Sequence, residues 1–489
     1  MPSSETNSVI AASAHQGAPQ GSPVQSPTPQ LALPAISRRA ALALSAIVLA
    51  LIALYMGFGQ SPIERAGIVV ALSIGLWATG WLPEWLTAMV FFTLCMLADI
   101  APATTVFAGF SSSATWLVLS GVVIGGAIAH TGLGNGLASR IAPLIEASYA
   151  KTIVGVVALG AIMMFVMPSA MGRVVLLVPI LMALADRLGY FEGTKGRTGI
   201  VLGGVLATFL PAFSVLPANV PNNVLVGSVE TVFGSGPTYS EYLWLHFPVL
   251  GLLKTLLLIP LLLFFYHDAN PAHREAPAEV KPIGGSAKHL AILLLGAVVL
   301  WASDGWHGIS PAWIGMIVAV WCLYPGTGLL KAKPLQGMSF EPIFYVAGIV
   351  SMGAVAHQSG LGAEIATWVL SILPLSPDNS AQNFGLLSAL SALVGMAVTL
   401  PGVPAILTPL TPDLSAATNW APEAVYMAQV VGFSTVLLPY QAPPLVVAIQ
   451  TGGLSMREVV RMCTVTAIIS IVVLWPLDYL WWVTLGLVN

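Results

Sequence analysis

The sequence predicts an all-α polytopic membrane protein of two inverted repeats, with about eleven transmembrane helices, two re-entrant hairpins and two broken helices. Three observations predict it. The first is composition. Of 489 residues, 57% are apolar and 8% charged, with a mean hydropathy of +0.88; soluble domains carry about 25% charged residues. The second is a pair of proline-rich breaks inside long apolar segments, Leu216-Pro217-Ala218-Asn219-Val220-Pro221-Asn222-Asn223 and Leu438-Pro439-Tyr440-Gln441-Ala442-Pro443-Pro444. Proline deletes a backbone donor and blocks helix continuation, and in lipid the freed groups need other partners. Matching breaks in two halves mark a transport site near the bilayer midplane. The third is a set of markers in the same order in both halves. Gly132 answers Gly360 at an offset of 228, Pro179 answers Pro412 at 233, Pro217 and Pro221 answer Pro439 and Pro443 at 222, and Pro260 answers Pro476 at 216. Loop-length changes account for that drift.

Taken in order, residues 1–35 are Ser-, Pro-, Gln- and Ala-rich without an apolar run, and read as a disordered tail. They lack the basic start and early apolar core of a cleaved signal peptide. An extra first span occupies 36–65, its apolar part near 41–59 and preceded by Arg38-Arg39. The first repeat, 66–266, has spans near 66–82, 86–100 and 114–130. An amphipathic stretch at 135–148, with Asn135, Ser139 and Glu146 on one side, is expected to lie in the interface. Residues 151–185 form two short apolar arms meeting at Met167-Pro168-Ser169-Ala170-Met171-Gly172-Arg173, the pattern of a re-entrant hairpin. The broken helix 197–229 and a span at 243–266 follow. A polar linker, 267–288, joins the halves on the cytoplasmic side. The second repeat, 289–489, has spans near 289–303, 310–324 and 342–358. It continues with a hairpin at 380–418 tipped by Pro401-Gly402-Val403-Pro404, a broken helix at 423–455 and a last span at 462–486.

Charge placement supports this topology. With a cytoplasmic N-terminus, fourteen of the seventeen Lys and Arg residues fall on that side, as expected in a cell inner (plasma) membrane. Arg65 falls outside, and Arg173 and Lys254 lie at membrane depth. A net charge of −3 gives nucleic acid no footing. Cys95, Cys322 and Cys463 lie in apolar segments without metal-ligand spacing and read as packing residues.

The chemistry concentrates at the tips and breaks. The acids, Asp478 among them, read as lying near segment ends, which speaks against a cation or proton antiporter. Helix N-termini converge instead, and these favour anions. Arg173, with no acid nearby in sequence, is expected to meet a substrate carboxylate bidentately, and Arg173→Ala to abolish uptake with folding intact. Ser169, Asn219, Asn222, Asn223, Gln441 and, at even odds with simple packing, Tyr440 are the remaining substrate-binding candidates, with Thr408 open between contact and packing. Pro168, Pro217, Pro221, Pro401, Gly402, Pro404, Pro439, Pro443 and Pro444 shape the tips and breaks. Lys254 and the pair His130 and His357 read as structural. No nucleophile–base set and no His-Glu-x-x-His run is present, so an intramembrane enzyme is disfavoured, and no cofactor is implied.

At these residues the chain resembles the divalent anion/sodium symporter family, which includes di- and tricarboxylate transporters, over about residues 40 to 487. The resemblance lies in Ala108-Gly109-Phe110-Ser111, Thr131-Gly132-Leu133-Gly134, Pro168-Ser169-Ala170-Met171-Gly172-Arg173 through Pro179-Ile180, Val220-Pro221-Asn222-Asn223 and Ala442-Pro443-Pro444. It implies a homodimer and an elevator motion of the hairpin-bearing part against a fixed scaffold. The family's tips carry Ser-Asn-Thr, whose oxygens help bind sodium and substrate carboxylates. Here Ala170 and Met171 replace Asn and Thr, and Leu400-Pro401-Gly402-Val403-Pro404 has no such set. Those side chains supply no oxygen. The expectation is therefore a secondary transporter of a small organic anion, a dicarboxylate by resemblance, working by sodium-independent exchange. The alternatives are a sodium-coupled sulfate or other inorganic anion symporter, and a non-transporting membrane receptor.

Overall fold

The computed structural model describes residues 37–55, 61–134, 136, 148–269 and 284–488. The tail 1–35, the amphipathic stretch 135–148 and the linker 267–288 fall wholly or mostly outside these residues. Among the described residues the chain is all helix with no strand. Among the described residues seven helices are long and apolar enough to cross a membrane: Pro62–Thr79, Ser113–Thr131, Tyr149–Val166, Lys195–Ser214, Tyr239–Tyr266, Gly285–Ala302 and Met456–Thr484. Glu84–Leu97, Pro311–Leu323 and Leu361–Ile372 are shorter apolar helices. Arg38–Tyr55 and Glu341–Gln358, both expected as spans, form helices of 18 residues.

Local chemistry sets the helix ends. Ser61 and Glu64 form a capping box at the start of Pro62–Thr79, and Gly80 closes it at φ 60°, where a Cβ would be strained. The tip at 167–169 breaks a would-be continuous helix into Tyr149–Val166 and Ala170–Arg187. There Pro168 interrupts the ladder and the Ser169 hydroxyl accepts from Gly172 N at 3.2 Å as an N-cap. The first break is two 3₁₀ turns, Pro211–Ser214 and Leu216–Ala218, then an extended Asn219 before the helix Val220–Phe233.

The second tip differs from its expected form. Its return arm is no single helix but Gly402–Leu407, a 3₁₀ turn Thr408–Leu410 and Thr411–Thr418, because Pro404, Pro409 and Pro412 each cost the ladder a donor. The second break runs from Ser434 through the 3₁₀ turn Pro439–Gln441 to the helix Pro443–Gly452. The helix Leu361–Ile372 occupies a stretch to which the sequence reading assigned no element. It buries Gly362, Ala366 and Val369 and exposes Trp368 and Ile372.

In each half the tip-bearing helix lies close against the broken one. A Cβ on Gly160 would stand 2.8 Å from Gly204 O, and one on Gly432 would run into Ser388 O. Small residues permit this backbone approach where packing rather than hydrophobicity joins helices.

The long helices that end the two halves, Tyr239–Tyr266 and Met456–Thr484, each contain one π-helical turn, Phe247–Leu253 and Ser470–Leu474. Lys254 follows the first. It is buried, and its ammonium donates to Ser434 O at 3.1 Å and Ser434 Oγ at 3.2 Å. That carbonyl is at the C-terminal, negative end of the half-helix Pro422–Phe433. Asp478 lies in Trp475–Thr484, near the end of the last long helix, where the sequence put it. It is fully buried and within electrostatic reach of Lys254. Lys254 directly follows the first π turn and Asp478 lies just after the second.

Candidate functional site

The first tip and first break are held together by one side chain. Arg173 is fully buried. Its Nε donates to Thr208 Oγ1 at 3.0 Å. Nη1 donates to Met167 O at 2.6 Å and Ala218 O at 3.0 Å, and Nη2 to Thr208 O at 3.0 Å and Asn219 Oδ1 at 3.4 Å. Five donors thus meet five oxygens, which is what a guanidinium needs away from water. Thr208 O belongs to the last turn of the half-helix Lys195–Phe209, so Arg173 also neutralises a helix C-terminus. In this geometry Arg173 joins tip to break and has no donor left over for a ligand.

The second tip and break are joined by neutral groups. Gln441 Nε2 donates to Gly395 O at 2.8 Å, while its Oε1 accepts from Leu437 N at 2.9 Å and Leu438 N at 2.8 Å. Gln441 O accepts from Leu400 N at 3.2 Å. The Tyr440 hydroxyl donates to Met396 O at 2.7 Å.

Between the tips lies a cavity of about 420 Å³. Of the expected ligand residues, Ser169, Asn219, Asn223 and Gln441 line it, as do Pro168, Pro221, Pro401, Pro443 and Pro444. Asn219 and Asn223 are 1% and 2% exposed, yet Asn219 Nδ2 and Asn223 Oδ1 have no hydrogen-bond partner. Buried amide atoms are rarely left so, and these two belong to residues on the cavity wall. Asn222 is elsewhere: its Nδ2 ties the break together through Ala212 O at 3.2 Å and Val215 O at 2.9 Å. Arg173, Tyr440 and Thr408 do not line the cavity. Thr408 is buried and donates to Gln429 Oε1 at 3.3 Å. Pro217, Gly402, Pro404 and Pro439 shape the backbone behind the wall.

The rest of the wall was not anticipated. It includes Glu84, Trp85, Val118, Val122, Phe209, Glu341 and Tyr345. The one sequence signal for part of it is an acid beside a proline at a helix start, Pro83-Glu84 and Glu341-Pro342. A second, polar cavity of about 940 Å³ holds Ser112, Ser113, Glu230, His357 and Gln358. It sits at the far end of Glu341–Gln358 from the first cavity. There Glu230 accepts from Ser112 Oγ and Ser113 N, both at 3.0 Å, at the N-terminus of Ser113–Thr131.

At the first tip the described residues leave no open sodium site. Sodium would need several convergent oxygens, and the set that converges at the first tip is already filled by the Arg173 guanidinium. Among the described residues no cluster of three His, Cys, Asp or Glu residues exists to hold another metal.

The chain is similar over most of its length to known membrane proteins. A membrane protein of Cupriavidus necator is 25% identical over 453 residues, 86% of this chain and 88% of that protein. The chloroplastic dicarboxylate transporter 2.2 of Arabidopsis thaliana is 22% identical, covering 83% and 77%. The L-tartrate/succinate antiporter of Escherichia coli is 21% identical, covering 76% and 79%. Two solved structures share the fold. The YdaH transporter of Alcanivorax borkumensis matches with TM-score 0.55 and 16% identity over 87% of this chain and 99% of that one. Neisseria gonorrhoeae MtrF, of a class of antimetabolite efflux pumps, matches with TM-score 0.51 and 14% identity over 89% and 97%. The family described as the sodium:sulfate symporter transmembrane region matches residues 35–488, and the chain belongs to that family.

Proposed function

We propose that this protein is a secondary transporter of a small organic anion, which binds between the two tips with a carboxylate against Ser169, Asn219 and Asn223. The observation that carries the reading is the unpartnered buried amide donor on the cavity wall, Asn219 Nδ2. The helices starting at Ala170 and Val220 aim their first-turn N–H groups at the same place, and such ends favour anions. The relatives' names, dicarboxylate transporter and L-tartrate/succinate antiporter, support a carboxylate substrate.

Transport is sodium-independent in this reading. In transporters with broken helices, half-helix C-termini and unwound carbonyls are where coupling cations bind. Here Arg173 donates to Thr208 O and Lys254 to Ser434 O, so both broken helices have a side-chain cation at that end. The halves 66–266 and 289–489 are inverted repeats, in a homodimer whose hairpins re-enter the inner membrane and move as an elevator, with the N-terminus cytoplasmic.

Proteoliposome uptake of radiolabelled succinate and phenylacetate, in sodium and in choline, tests this. The expected result is uptake that is equal in the two salts and lost in Asn223→Ala. Binding without flux would make the protein a receptor, and uptake in sodium alone would restore the sodium-coupled alternative.

A further inference from the structure

The two sides of the cavity are unequal in a way that bears on its ligand. On the first side, Gly172 N and Arg173 N bond to Ser169, and Asn223 N bonds to Asn219 O. That leaves the first-turn N–H groups of Ala170, Met171, Val220 and Asn222 without an acceptor in their own helices. With Asn219 Nδ2 they make a donor-rich wall.

The second side is closed to anions. The helix Pro443–Gly452 opens with two prolines, which have no N–H, and its next two donors, Leu445 N and Val446 N, both go to Ala442 O at 3.0 and 3.4 Å. At the second tip Pro401 and Pro404 have no N–H, Gly402 N bonds to Thr399 O at 2.9 Å and Val403 N to Leu400 O at 3.2 Å. Gln441 is spent on Gly395, Leu437 and Leu438. The Tyr345 hydroxyl is paired with Thr399 Oγ1 at 3.2 Å. What remains on this side is Leu400, Ala442 and proline rings, continued by Trp85, Val118 and Phe209.

Charge points the same way. None of the described lining residues is Lys, Arg or His, and two are acids, Glu84 and Glu341. A second carboxylate would be desolvated without a counter-charge and repelled by those two.

We propose that the site takes a carboxylate monoanion with an apolar body, its single charged head on the Ser169–Asn223 wall and its body against Leu400, Ala442 and Pro444, in preference to a dicarboxylate. This rests on the anion-transport reading and narrows its substrate class. About 420 Å³ is enough for a ring or branched chain, since small-molecule sites start at about 300 Å³.

Ligand-induced thermal shifts of the purified full-length protein test it at neutral pH, where succinate is a dianion. The probes are phenylacetate, succinate and monomethyl succinate, the last keeping succinate's length with one charge removed. Phenylacetate and monomethyl succinate are expected to bind at least tenfold more tightly than succinate. Glu84→Gln with Glu341→Gln is expected to strengthen succinate severalfold and phenylacetate by less. Succinate binding as well as or better than its monomethyl ester overturns the one-headed ligand and leaves the anion-transport reading standing. Failure of all three to shift the protein, with no uptake of either labelled probe in proteoliposomes, overturns both.

Discussion

Replacing Arg173 with alanine separates two roles that a buried arginine can have. If it holds the first tip to the first break, its removal strands five oxygens: Met167 O, Ala218 O, Thr208 O, Thr208 Oγ1 and Asn219 Oδ1. Hydrogen bonds inside membrane proteins average about 0.6 kcal/mol each, so five amount to about 3 kcal/mol. Lysine keeps the charge but has three donors in place of five, and Arg173→Lys should cost about 1 kcal/mol on the same scale. The assay is thermal unfolding in detergent followed by intrinsic tryptophan fluorescence, for which the chain has 14 tryptophans, run beside proteoliposome uptake. The expected order of melting is wild type, then Arg173→Lys, then Arg173→Ala, with transport lost in the last. An Arg173→Ala protein that melts like wild type and transports nothing would refute the strut and return Arg173 to direct contact with the substrate carboxylate. One that melts and transports like wild type would refute both.

Two more outcomes follow from the same geometry. Gln441→Leu frees Leu437 N, Leu438 N and Gly395 O at the second break, and at about 1–3 kcal/mol for a stranded buried group it should lower the melting temperature and abolish uptake. Gln441→Glu keeps the acceptor for both N–H groups, so it should fall between Leu and wild type in the same melt. Lys254→Met strands Ser434 O and removes the cation within electrostatic reach of buried Asp478, with an expected loss of about 1–3 kcal/mol for the stranded carbonyl. The double variant Lys254→Met/Asp478→Leu should melt above the single one, and equal melting of the single and double variants would show that the two residues are not coupled.

What was legible in the sequence is what proline and composition dictate locally. Pro217, Pro221, Pro439 and Pro443 interrupt helices wherever they stand, so both breaks were visible, as was the tip at Pro168-Ser169. Three of the asparagine and serine candidates line the cavity for the same reason, because they sit in those interruptions. Roles set by distant partners were not legible. Arg173 finds four of its five acceptors 35 to 46 residues onward, and only the fold shows that they use up every donor. Asn222 and Asn223 are adjacent and chemically identical, yet about 100° of helical rotation sends one into the break and the other to the cavity. Trp85, Phe209 and Tyr345 are apolar or aromatic like the rest of a membrane protein, so nothing marked them as a wall. The burial of Lys254 and Asp478 together was not legible either, because they stand in different helices that only the fold brings near each other.

The two breaks show how a donor-poor second half can coexist with a working site. A broken helix exposes a negative C-terminal end and a positive N-terminal end. Here the negative end of the first is closed by Arg173 and that of the second by Lys254. Both cations come from neighbouring helices, Ala170–Arg187 and Lys254–Tyr266. The positive ends are treated unequally. Pro443 and Pro444, with Ala442 O as acceptor, silence the second, while Pro221 silences only one donor of the first. With both negative ends closed and one positive end closed, a single anion suffices to satisfy the remaining one. In the function proposed above, Arg173 and Lys254 occupy the helix ends where sodium would bind, while Pro443, Pro444 and Ala442 O leave no second N-terminus for another carboxylate, so the two proposals rest on complementary parts of one electrostatic arrangement.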